Sequence, residues 1–114
     1  MSQRVEVDAV SSNFFDYRSA LLVIYNQLRS SEVQAMKFLC SDFISIAKME
    51  RIQNALDLFQ ELEKLQRIGE PDNVHLLAEL LYHVGRADQL RTLRLTKETV
   101  ARAIQENSVL DRFR

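Results

Sequence analysis

Glycine and proline are nearly absent from this chain, with two glycines and one proline in 114 residues. That scarcity leaves little material for the tight turns of a strand-rich fold. The long segments of Leu, Ala, Glu, Gln, Lys and Arg therefore read as helices. Cysteine is scarcer still. A single one, Cys40, excludes an internal disulfide. No N-terminal stretch has the charged-then-apolar layout of a secretory signal, and together these features imply a reducing, cytoplasmic location. An excess of one charge is missing too. Fifteen Lys and Arg stand against sixteen Asp and Glu, a formal charge of -1, which supplies no basic field for a phosphate backbone and argues against nucleic acid as a partner. The longest apolar run, Ala20–Tyr25, is far shorter than the roughly 20 residues that span a bilayer, so no membrane insertion is expected.

Reactive constellations are equally thin. No glycine-rich phosphate loop occurs, and His75 and His83 lie eight residues apart on one helical segment, too far to share a metal ion. Cys40 falls on the apolar stripe of its segment, where a packing role outweighs a nucleophilic one. No catalytic, cofactor-binding or metal residue is expected, and no enzyme activity within these 114 residues.

What the chain has is helical periodicity. Its length suits one core and is too short for two domains. Residues 1–15 carry no helical pattern and are expected to form a loose leader. From Asp16, an expected N-cap, Leu21, Ile24 and Leu28 mark a first helix ending near Arg29. Ser31 and Gln34 have capping-box spacing for a second helix that runs to about Ser41. Val33, Met36 and Cys40 fall within roughly 60° of one another on that helix, and Phe38 points away from them. After Phe43 the period lapses, and "KMERI" is at most a short helix or turn. A further helix opens at Asn54, uses Ala55, Phe59, Leu62 and Leu65 or Gln66, and reaches about Arg67 before "GEPDN". Asp72 or Asn73 caps the next, whose stripe of Leu77, Leu80, Leu81 and Val84 stops at Gly85. A short helix near Ala87 uses Leu90 and Leu93. Thr96 caps a last one with apolar positions at Val100, Ala103 and Ile104.

Three segments, "KFLC" (Lys37–Cys40), "ERIQNALDLF" (Glu50–Phe59) and "LLAELLYHVGRADQL" (Leu76–Leu90), resemble the death effector domains. The resemblance covers about Tyr17 to Leu93. It implies an all-α, six-helix antiparallel death-fold bundle over residues 16–95. Residues 96–114 would add a C-terminal linker helix and the possible start of a second domain. It also implies a homotypic interaction module that assembles death-receptor signalling complexes or filaments in apoptosis. Its partners would be other death effector domains, of adaptor, caspase or inhibitor, with self-association and no cofactor.

The family's charged triad falls on Glu32, Arg86 and Asp88, with the leucine that usually follows the aspartate replaced by Gln89. A solvated ion network at the helix ends is the plainer alternative for these charges. The family's Phe-Leu motif falls on Phe38 and Leu39, and the groove that receives it on Leu22 and Tyr25 of the first helix and Leu56 or Glu63 of the fourth. "TKETVARAI" and "VLDRFR" resemble the linker of tandem death-effector proteins, the initiator caspases and their caspase-like inhibitor. On that basis the parent would be an initiator caspase with a cysteine protease domain downstream. The alternatives are the death-receptor adaptor, whose third and fourth helices "KMERIQNALDLF" resembles, the caspase-like inhibitor, and another death-fold module of the caspase-recruitment or pyrin type.

Overall fold

A computed structural model describes residues 17–65, 67–69 and 74–113. Their regular elements are all helical. In order they are α1 (17–27), α2 (Ser30–Leu39), α3 (Ile46–Arg51), α4 (Ala55–Lys64) and α5 (His75–His83). The 3₁₀ helix η1 (Ala87–Leu93), α6 (Lys97–Asn107) and α7 (Val109–Arg112) follow. The expected leader, the Asp16 cap and the Asp72 or Asn73 cap lie outside the described residues.

The apolar stripes meet in one core. Leu21 and Ile24 of α1, Val33 and Met36 of α2, Ala55, Leu58, Phe59 and Leu62 of α4, and Leu77, Leu80 and Leu81 of α5 are all buried, together with Cys40. Six consecutive residues of α5, Leu76 to Leu81, are buried, which a one-sided amphipathic helix never achieves. The cause is α6 and α7. They pack against α5, which also meets α2 and η1, and α6 touches η1 as well. Val100 and Leu110 are buried there and Ile104 partly so, whereas Ala103, an expected core position, is exposed. Ala103 lies on the rim of an open recess between α6 and α5, which leaves it accessible.

Local chemistry shifts several helix ends from their expected places. α2 starts one residue before the Ser31 box, with Arg29 at the N-cap position. The chain turns at Leu28 and Arg29, which puts Glu32 at the third helical position, and its Oε1 accepts the Arg29 N–H at 2.8 Å. Ser31 and Gln34 therefore do not cap. α4 ends at Lys64, short of Arg67, because the Arg67 N–H turns back to the Leu62 carbonyl at 2.8 Å. Thr96 caps as expected, accepting from the Thr99 amide, and Asn54, where a helix is expected to open, is the N-cap of α4, accepting from the Asp57 amide.

α5 stops in a Schellman turn. Gly85 adopts φ 82°, the Gly85 N–H reaches the Tyr82 carbonyl at 3.2 Å, and the Arg86 N–H reaches Leu81 at 2.8 Å. A β-carbon on Gly85 would meet nothing within 4 Å. Only backbone strain thus opposes a side chain there. Gly85→Ala is expected to cost about 1–2 kcal/mol in urea unfolding, and Gly85→Asn clearly less, since Asn tolerates the left-handed region.

Candidate functional site

The Schellman turn at Gly85 fixes where Arg86 leaves α5, and its guanidinium then reaches three helix ends. Nη1 donates to the Gln27 carbonyl at the end of α1 (2.7 Å) and to Glu32 Oε1 at the start of α2 (2.9 Å). Nε and Nη2 grip Asp88 side-on, at 3.0 Å to Oδ1 and 3.1 Å to Oδ2. A planar fork with fixed N–H directions can serve two carboxylates and a carbonyl at once, which an ammonium group cannot. Glu32 Oε1 also caps α2 through Arg29, so one oxygen joins the helix cap to the triad.

The network is asymmetric. The side chains of Arg86 and Glu32 are 17% and 15% exposed, whereas that of Asp88 is 59% exposed. Half of it is therefore shielded from water, unlike a freely solvated surface pair. Gln89 occupies the position where leucine was expected. It is buried, its amide Nε2 donates to Asp88 Oδ2 at 3.0 Å, and its Oε1 has no protein donor. The substitution thus extends the network by one residue. Donation by Arg86, then by Gln89, holds the Asp88 carboxyl at about 2, and the same Asp88 contact, followed by Glu32, raises the Arg86 guanidinium above its ordinary value.

At the far end of α2, Phe38 is 76% exposed. Leu39 is half-buried and packs on the domain's own core, so of the pair only Phe38 projects. A second apolar side chain stands beside it. Ile46 at the start of α3 is 79% exposed, and with Phe38, Met49, Lys37 and Glu50 it lines one shallow depression. The lapse of periodicity after Phe43 hid Ile46. The available signal was Ser45, whose side chain accepts the Lys48 N–H and thereby makes Ile46 the first residue of α3.

The expected receiving residues lie along the α1–α4 seam. Tyr17 donates to Glu63 Oε2 at 2.6 Å and Arg18 pairs with Glu63 at 3.6 Å, while Tyr25 and Ala55 line one recess. Early α1 thus lies beside late α4 and late α1 beside early α4, an antiparallel pair. Arg18, Leu22 and Tyr25 span roughly 60° of α1, and Leu56 and Glu63 share a flank of α4. Leu22 is 50% exposed, and Tyr25, Leu56 and Glu63 are half-buried. Burial first, and then the Glu63 contact, raises the Tyr17 phenol well above its ordinary value.

Nothing in these surfaces resembles a reaction centre. Cys40 is fully buried, and among the described residues no group of three His, Cys, Asp or Glu side chains could hold a metal. No helix among them is long and apolar enough to cross a membrane.

The family model of the death effector domain matches residues 17–99. The chain belongs to the death effector domain family. It is 41% identical to caspase-8 of Rattus norvegicus over 91 residues, which are 79% of this chain and 19% of that protein. To caspase-10 of Homo sapiens it is 34% identical over 98 residues, 86% of this chain and 19% of the relative. To the FAS-associated death domain protein of Homo sapiens it is 43% identical over 68 residues, 60% of this chain and 32% of the relative. The chain thus spans about a fifth of the length of the caspases it matches. A death effector domain is a non-catalytic, homotypic interaction module, and the fold is that family's death-fold bundle with α6 and α7 added.

Two expectations follow for the triad of this death effector domain. Arg86→Ala should lower unfolding stability by about 1–3 kcal/mol, above an exposed ion pair and below a fully buried one, because it also unties Gln27 and Glu32. The Asp88 carboxyl, followed by NMR, should titrate near 2 in the parent and move up towards the usual carboxylate range in Arg86→Gln. Its folded value is depressed, so its contribution to stability is present above about 4 and is lost as the pH falls towards 2.

Proposed function

We propose that this death effector domain assembles head to tail with other death effector domains, its Phe38 face entering the α1–α4 seam of a neighbour. The exposure of Phe38 carries this reading. A phenylalanine 76% exposed, next to an isoleucine 79% exposed, forms an apolar patch on α2 and α3. The other large apolar side chains exposed among the described residues, Leu22 and Val23, lie on α1. Two different patches on one molecule make a heterologous contact, which propagates into chains or filaments instead of closing as a dimer. The charged triad supports the patch from a distance by fixing the start of α2.

The partners are further copies of this chain and the death effector domains of adaptor, caspase and inhibitor. The setting is a cytoplasmic death-receptor complex in apoptosis. The parent is an initiator caspase whose cysteine protease domain follows, with residues 96–114 as the linker onward. The matches to caspase-8 and caspase-10 run over 91 and 98 residues, while the adaptor match covers 68, which favours the caspase over the adaptor.

Phe38→Ala separates docking from folding. It should change stability by less than about 0.5 kcal/mol, as for an exposed side chain, yet abolish concentration-dependent light scattering. Leu21→Ala, buried in α1, should instead cost about 2–5 kcal/mol. A Phe38 variant that melts as early as the Leu21 variant, or that scatters like the parent, contradicts the proposal.

A further inference from the structure

Glu79 is 2% exposed in the middle of α5, and no part of the docking surface uses it. A carboxylate so placed is costly unless several donors meet it. Its donors among the described residues come from the start of α7. Ser108 Oγ donates to Oε1 at 2.8 Å, the Val109 N–H to Oε2 at 2.6 Å and the Leu110 N–H to Oε1 at 3.1 Å. Ser108 Oγ in turn accepts the Asp111 N–H at 3.1 Å, and Leu110 is 2% exposed. α5 therefore supplies a cap to a four-residue helix too short to be stable alone.

The other end of this segment is held by rings. Arg67 Cζ sits 4.0 Å from the centre of the Phe113 ring and 5.9 Å from that of Phe43, and the two rings meet edge to face at 5.8 Å. Phe43 lies in the loop between α2 and α3, with Phe38 on one side of it in sequence and Ile46 on the other. α3 buries none of its own residues. It is held by Met49, which packs on the core, by the buried Ile44 and Ile52 on either side of it, by Lys37 Nζ to the Ile52 carbonyl at 2.7 Å and Lys48 to Glu61 at 3.3 Å, and by this loop.

We infer that residues 108–113 form an internal brace, latched to α5 by Glu79 and keyed by Phe113 to Phe43, which sets the stance of Ile46 relative to Phe38. This inference rests on the docking role proposed for the Phe38 face. The state of the segment after α6 would then control how well that face engages a neighbour, through Phe43 and without any contact between the brace and the partner.

The test uses Phe113→Ala and Glu79→Gln in the 114-residue chain, with Phe113→Leu as a variant that keeps bulk but removes the ring. Amide exchange and light scattering are read on the same samples. Exchange of the Lys48 and Met49 amides, which are bonded to Ser45, should quicken by about tenfold or more in all three variants, with the core of α4 and α5 unchanged. Assembly should need a severalfold higher concentration. Parent-like exchange in α3, or assembly at the parent concentration in a variant whose α3 has loosened, overturns the brace. Failure of the docking role itself shows elsewhere, as undiminished assembly of Phe38→Ala with the brace intact.

Discussion

One guanidinium holds the corner from which α2 extends. Arg86 ties the last carbonyl of α1 and the first acidic residue of α2 to the aspartate of η1, and it can do so only because Gly85 turns the chain out of α5 at φ 82°. α2 is ten residues long, a rod of about 15 Å, so fixing its first turn fixes the direction in which its last turn presents Phe38. The triad and the apolar knob are two ends of one lever. That relation would let a network about 15 Å from the proposed docking patch matter to it without touching a partner.

Much of this was legible in the sequence because it depends on spacing. Val33, Met36 and Cys40 against Phe38 is a statement about angles on one helix, and the burial of the first three beside the exposure of Phe38 follows it. Gly85 as a stop, Asn54 as a helix start and Thr96 as a cap depend on single residues acting on their own backbone. The misplaced features depend on choices between neighbours. Ser31 and Gln34 have suitable spacing for a capping box, but Glu32 caps the amide of Arg29, two residues before Ser31, and the same oxygen is held by Arg86, 54 residues away.

Other residues were hidden for the same reason, that tertiary contact gives them their role. Glu79 lies on the face of α5 opposite the Leu77, Leu80 and Leu81 stripe, where a solvated residue is the ordinary reading, until α7 arrives to cover it, and α5 becomes buried on that side because α6 and α7 pack on it. Gln89 looked like a lost leucine and is instead a buried amide on the triad. Ile46 belongs to a helix with no buried residue, hence with no stripe to detect. Leu39, grouped with Phe38 by motif, is divided from it by a rotation of about 100° that turns it towards the core.

A head-to-tail assembly built from two separate patches can be divided between two variants. Copies carrying Phe38→Asp lose the knob and keep the α1–α4 seam, and copies carrying Leu22→Asp lose the seam and keep the knob. Each alone should stay monomeric in analytical ultracentrifugation. An equimolar mixture should form a one-to-one dimer and stop, because only one productive contact can be made. Growth of either variant by itself, or a mixture that remains monomeric, would contradict the account.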